Sequence, residues 1–478
     1  MIKAEKVFDE VFSARNFNTS PLTISGLDGD TYDYEMVVFG VGISDADVDF
    51  QLRFNADSST NYRRYYMHGV GSSKGAQVHD SRDAQILVDM RRSAYPTLSK
   101  VMITGSSGEE RYLEFSATGT TNSNSIVRHS SGYWKNTADN IISINLTSDL
   151  SGSSDAHIML YRTPKASGQS EWELMEVLDW NAETAIKSFT VDGDRDKVYK
   201  ITLQSNWRGH EFRFNSDSGG NYTRQMLYNQ NGAINSINTP NYSANIMEGH
   251  NGVVIINAES GVERLSIASG GSIGNIRDQA EQGIWYSNTV TNITSINMNT
   301  LGTSLTGTAK LYRKRNPDGT GDTLPFEVIE TVDISGDFSA GHDFTGLLGD
   351  SVNLYKLEFL GEYGGSLNLR AQFNGDTGSN YTYQYLRGNS STTSAATSTL
   401  TYNEFLDGQA NSTNSALMYL YPKSKENRPS LNRIYSRTNR LELRGNWWNN
   451  SADEITSIKV YGSNTNTITG KLILSRLV

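Results

Sequence analysis

Nine side chains recur at a fixed spacing and are of the types that bind ions. They are Asn55, Asp57 and Asn61, then Asn215, Asp217 and Asn221, then Asn374, Asp376 and Asn380. Each trio sits in one string. The strings run Phe54-Asn-Ala-Asp-Ser-Ser-Thr-Asn-Tyr62, Phe214-Asn-Ser-Asp-Ser-Gly-Gly-Asn-Tyr222 and Phe373-Asn-Gly-Asp-Thr-Gly-Ser-Asn-Tyr381. Oxygen ligands spaced along a short loop suit a hard cation such as Ca²⁺. Each string brings one carboxylate, however, where calcium loops usually bring several. The alternative is a turn, in which Asn and Asp bond nearby backbone groups and accept left-handed conformations. A third role is direct contact with a ligand or partner, and the nine residues are the candidate contacts.

Other chemistry is sparse. The seven histidines (His68, His79, His129, His157, His210, His250 and His342) fall at no matched positions of the three strings, and no paired His spacing for zinc is present. Gly270-Gly271-Ser272-Ile273-Gly274 matches a nucleophile elbow by letter, but that motif needs a strand–turn–helix in an α/β fold. There is no P-loop and no dinucleotide fingerprint. Acidic pairs such as Glu109-Glu110 read as solvated loop residues. The expectation is no catalytic residue, no metal and no cofactor, hence no enzyme.

The elements that position the strings follow from hydrophobic period. Val48, Phe50, Leu52 and Phe54 alternate with polar residues, as do Leu367, Leu369, Ala371 and Phe373. Period two marks half-buried strands. Tyr381, Tyr383 and Tyr385 alternate after the string, as do Tyr62, Arg64 and Tyr66, so the string is expected to close a β-hairpin. These tyrosine faces are either core or a surface for sugar. The strings are spaced by 160 and 159 residues, so the chain holds three copies of one unit. A second signature agrees: Trp134 before Ile141–Asn145, Trp285 before Ile293–Asn297, and Trp448 before Ile455–Ile458. The three tryptophans are expected as core anchors. Only Asp83 to Arg92 admits a helix, and it reads equally well as a strand. Short strands with turn signals between them predict an all-β chain of three tandem jelly-roll-like β-sandwiches, over residues 1–163, 164–315 and 316–478.

Composition narrows the partners. The chain has 478 residues, no cysteine and a net charge of −10. No Lys/Arg block stands out, which argues against nucleic acid. No apolar run approaches a membrane span, and Met1–Lys6 opens without the apolar stretch of a secretory signal. The absence of cysteine favours assembly in a reducing cytosol.

The string Phe373–Tyr381, followed by Gln384-Tyr385-Leu386-Arg387-Gly388, resembles a motif of repeated β domains in tailed-bacteriophage virion proteins. The resemblance spans about 16 residues in each of three copies. Copy one lacks both glycines of the best form, carrying Ala56 and Ser59 in their place. It implies a non-enzymatic tail, baseplate, fibre or appendage component, assembled in the host cytoplasm as a homo-oligomer with other virion proteins. Capsid decoration and recognition of a host surface glycan are the alternatives. A polysaccharide-cleaving tailspike fits poorly, because its short β-helix repeat is unlike a unit of roughly 155 residues.

Overall fold

The computed structural model describes the chain apart from residues 1–3, 43–47, 84–85, 92–95, 109, 121–124, 149–152, 166–171, 206–208, 231–232, 243–244, 249–250, 262, 272–278, 300–303, 315–325, 390, 409–411, 424–426 and 437–439. The described chain is nearly all strand, and the alternation read from sequence is the reason. In Leu367–Phe373 every second residue is buried, and the intervening ones are half-exposed.

The first repeat contains β1 (Glu5–Arg15), β2 (Leu22–Ser25), β3 (Tyr32–Gly42), β4 (Val48–Phe54), β5 (Tyr62–Val70), β6 (Ser73–Asp83), β7 (Ile86–Arg91), β8 (Pro96–Thr104), β9 (Arg111–Thr120), β10 (Ser125–Trp134), β11 (Ser143–Ser148) and β12 (Ser154–Pro164). A four-stranded sheet has the order β2-β11-β4-β7, and an eight-stranded sheet has the order β1-β12-β3-β8-β9-β10-β5-β6. Removing the β8–β9 hairpin and the β1–β12 pair leaves two four-stranded sheets with jelly-roll pairing. The other two repeats have the same strand orders in both sheets. The chain is therefore three β-sandwiches of one topology. The ambiguous segment Asp83 to Arg92 is strand where described, ending β6 and forming β7.

Each sandwich has its own core between its two sheets. In the first it includes Phe50, Leu52, Phe54, Tyr62 and Trp134, and in the third Leu369, Phe373, Tyr381 and Trp448. The second departs from the sequence reading. Tyr62 stands opposite Trp134 in the ladder, and Tyr381 opposite Trp448, but Tyr222 stands opposite Tyr286. Trp285 is thus not the equivalent of the other two tryptophans. It lies one residue earlier, and a one-residue step in a strand moves a side chain to the opposite face of the sheet. Tyr286 occupies the sandwich core, and Trp285 points outward into a fourth core.

That fourth core joins all three sandwiches. It contains Met67, Leu227 and Leu386, which hold equivalent places in three equivalent strands and are fully buried. Those strands, β5, Tyr222–Gln230 and Tyr381–Asn389, touch one another pairwise. So do β6, Ala233–Tyr242 and Thr392–Leu400. Two of the junctions use the same pair of positions. A Cβ on Gly69 would lie 2.8 Å from the Tyr385 carbonyl and 3.2 Å from Nε2 of Gln384. A Cβ on Gly388, the equivalent of Gly69, would lie 2.6 Å from Oγ of Ser236 and 3.4 Å from Nε2 of Gln225. Repeat one thus meets repeat three as repeat three meets repeat two. This is the head-to-tail contact that closes a ring. The protein is a trimer-like body made of one chain.

Candidate functional site

The nine recurring residues build the same corner three times. The corner is not the expected hairpin. The strand before the string lies in the four-stranded sheet and the strand after it in the eight-stranded sheet, so the loop crosses between layers. Alternation on both sides of a loop shows two strands but not whether they pair, and seven residues is long for a hairpin. The first two loop residues both have positive φ: 52° and 55° at Asn55 and Ala56, 52° and 57° at Asn215 and Ser216, 52° and 66° at Asn374 and Gly375. The Asp57 N–H donates to the Phe54 carbonyl at 2.8 Å, closing a turn with positive φ at both central residues, as type I′ requires. Asn-Gly is the preferred pair there, and only the third repeat carries it.

The side chains then lock the corner. Nδ2 of Asn55 donates to the Asn140 carbonyl at 2.6 Å, and its Oδ1 accepts from the N–H groups of Ile142 and Ser143. Asn215 and Asn374 make the same three bonds, to residues 292–295 and 454–457. Oδ2 of Asp57 accepts from Nε1 of Trp134 at 2.7 Å and Nδ2 of Asn61 at 3.0 Å, and its Oδ1 accepts the Ser59 N–H at 2.9 Å. Asp376 binds Trp448, Asn380 and Gly378 in the same way. In the second repeat the Tyr286 hydroxyl, at 2.8 Å, replaces the indole donor to Asp217, and Asn221 and Gly219 complete the set. Burial would raise the Asp57 carboxyl, but the donors Ser59, Trp134 and Asn61 outweigh it and hold the group down at about 2. Asp217 and Asp376 are lowered by the same balance. Both oxygens of each carboxylate accept protein donors, so the trio is wired into the fold.

The tyrosine faces divide. Tyr62 and Tyr381 are core residues, and Tyr66 is buried beneath Arg128, whose guanidinium carbon sits 4.5 Å above the ring. Tyr383 and Tyr385 are half-buried and stack at 6.0 Å, with Arg444 and Arg387 over their rings.

Sequence reasoning missed a second place of interest, the centre of the molecule. With the ladder register corrected, His129, Glu281 and Leu443 are equivalent positions, and all three are buried. His129 Nε2 lies 3.1 Å from Oε2 of Glu281, and its Nδ1 is 2.9 Å from Oγ of Ser116. The third repeat supplies Tyr435, whose hydroxyl donates to Glu281, and Arg433, which is 2.8 Å from Glu114. Glu114, His129 and Glu281 bring one ligand-type atom each within 4.8 Å of one another. Arg433 and Tyr435 already neutralise and bond the two carboxylates, so the cluster is an ion-pair network tying three sandwiches together. Burial opposes the Glu281 charge, but Arg433 and His129 overcome this and lower its pKa. The one signal in the sequence was a run of polar residues inside strands, such as Arg128 to Ser131, that local alternation does not explain.

Beside this network lies a cavity of about 290 Å³ whose walls come from all three repeats. Lys100 and Glu35 of the first, Trp172, Lys200 and Tyr312 of the second, and Tyr419 and Arg433 of the third are among its lining. Of the nucleophile-elbow string, Gly270 and Gly271 are not among its lining. Gly270 and Gly271 end a strand, and residues 272–274 lie outside the described residues. Among the described residues no helix is long and apolar enough to cross a membrane.

No protein-family model matches the chain, and no curated protein is detectably similar. Among solved structures, domains LG4-5 of the mouse laminin alpha1 chain align over 66% of this chain and 92% of that one at 9% identity, with a TM-score of 0.15. A mutant of the porin of Rh. blastica aligns over 87% and 100% at 10% identity, with a TM-score of 0.08. OpdL of Pseudomonas aeruginosa aligns over 87% and 98% at 10% identity, with a TM-score of 0.10. At these scores the likenesses carry no argument about fold or function.

Two outcomes test the corner. Ala56→Gly relieves a left-handed alanine where the equivalent Gly375 has open space around its missing Cβ. It should raise stability by about 1 kcal/mol in urea denaturation. Asp57 is held below its unfolded value, so its contribution is present above about pH 4 and fades as pH falls towards 2. The stability gap between wild type and Asp57→Asn should therefore narrow across that window, and a constant gap would contradict the assignment.

Proposed function

We propose that the protein is a non-enzymatic structural component of a tailed-bacteriophage virion, a tail, baseplate or appendage part present in several copies. The observation that carries this reading is the fusion of three equivalent sandwiches around one buried core. Particles of this class are built on rotation axes. A chain with three equivalent faces suits a threefold position by itself, or a sixfold one as a pair. The motif resemblance points the same way, and the recurring polar residues are spent on holding corners rather than on reacting groups. On this reading the partners are other virion proteins and further copies of the chain, assembly takes place in the host cytoplasm, nucleic acid is not a partner, and the chain does not span a membrane.

Capsid decoration is the nearest variant and differs only in location. Recognition of a host glycan has one supporting observation, the half-buried Tyr383–Tyr385 pair. Its weight is reduced by the arginines already over both rings.

Density-purified particles from the host lysate should contain the chain in fixed stoichiometry. A map of the intact particle should show three sandwich-sized lobes around a local axis at each copy. Absence of the chain from purified particles would sink the virion reading.

A further inference from the structure

The three repeats share a topology, but the second departs from the first on part of the face that joins them. Tyr34 and Tyr199 are equivalent, since each hydroxyl accepts a backbone N–H from the turn before its strand (that of Asp28 at 2.7 Å and of Asp192 at 2.9 Å). Counting on, Val37 and Phe39 of the first repeat correspond to Thr202 and Gln204 of the second. Met159, across the ladder from Val37, corresponds to Lys310, across from Thr202. Val37, Phe39 and Met159 belong to the core that joins the sandwiches. Thr202, Gln204 and Lys310 line the cavity instead. The cavity therefore exists where the second repeat has exchanged the apolar side chains of the joining face for a hydroxyl, an amide and a cation. Interfaces between domains are where small-molecule sites commonly form, and about 290 Å³ is near the lower end of their usual size.

The charges of the wall are mostly engaged. Lys100 is 2.5 Å from Glu35 and donates to the Tyr419 hydroxyl at 2.8 Å. Arg433 holds Glu114, and Lys165 is 3.7 Å from Asp33. Lys200 differs. Its Nζ sits 4.9 Å from the Trp172 ring centroid and 4.7 Å from that of Tyr312, and among the described residues it has no carboxylate at ion-pair distance. Burial lowers its pKa to about 8, against the pull of Asp33 and Glu35, so it still carries a proton at neutral pH. An ammonium partly withdrawn from water with no carboxylate at ion-pair distance is costly, and an anion beside it would offset that cost.

We propose that this cavity binds a small hydroxylated organic anion of the chemistry of a sugar acid, with Lys200 facing its carboxylate. The sign pattern of the wall selects this class. Four carboxylates, Asp33, Glu35, Glu110 and Glu114, stand in the wall against five cations, so the surplus is one positive charge and suits a single carboxylate better than a phosphate. Ligand hydroxyls can donate to those carboxylates and exchange hydrogen bonds with Thr202, Gln204 and Asn257. The site does not depend on where the protein works, so it stands or falls apart from the virion reading.

The test is calorimetric titration of the full chain with glucuronate, methyl glucoside and inorganic phosphate. Glucuronate should bind saturably at pH 7, more tightly than the other two, and the binding should weaken above about pH 8 as Lys200 loses its proton. Lys200→Gln should weaken it about tenfold or more, the usual order for a lost charge-assisted hydrogen bond, without lowering the melting temperature. The double change Thr202→Val with Gln204→Phe restores the first repeat's residues. It should fill the cavity, raise the melting temperature and abolish binding. No saturable glucuronate binding, equal binding by wild type and Lys200→Gln, or tighter binding of phosphate would each overturn the assignment.

Discussion

An eight-stranded sheet that is apolar on both faces must be covered on both, and the arrangement of this molecule depends on that constraint. The small sheet of each sandwich covers one face. The other face carries Met67, Leu227 and Leu386 and their neighbours, and it finds cover only against the two other repeats. Exposing that much apolar surface would be unfavourable in water. Three repeats therefore close on one another, and the equivalence of their contacts follows from the equivalence of their strands. Close approach is permitted where a side chain is missing, at Gly69 and Gly388.

Into that apolar junction the chain has placed a histidine, two glutamates, an arginine and a tyrosine from three different repeats. Buried ion pairs are seldom the cheapest way to fill space, because desolvation consumes most of the attraction. What they do supply is asymmetry. His129, Glu281 and Leu443 sit at one equivalent position, so the three repeats bring an imidazole, a carboxylate and an isobutyl group to the same place in the junction. Tandem domains of similar sequence are prone to misassembly with one another. The same divergence, carried further on the second repeat, leaves the cavity.

Most of the architecture was legible in the sequence because it rests on local rules. Alternation at Leu367–Phe373 fixed a strand, and the repeated Asn–Asp strings marked turns, in which the Asp bonds backbone two residues on while the first Asn reaches a segment far along the chain. Three features escaped for physical reasons. The slip at Trp285 is invisible without the ladder, because Trp285 and Tyr286 are both aromatic and one residue decides which face each takes. The junction escaped because its strands do not alternate. β10 is buried at all ten positions although half of them are polar. Its second face is covered by chain more than a hundred residues away, and no local period records such a partner. The corner loops read as a hairpin for a similar reason, since pairing is a property of two strands and alternation a property of one.

Small-angle scattering from the monodisperse chain tests the shared core most directly. Three sandwiches closed on one another should give a radius of gyration of about 23 Å, the value for a single compact body of this length. Three independent sandwiches strung end to end would give about 35 Å, from bodies of about 15 Å each spaced by their own diameter. The smaller value is the one this structure predicts. A value near the larger would mean that the repeats do not share a core, and the trimer-like body would have to be abandoned.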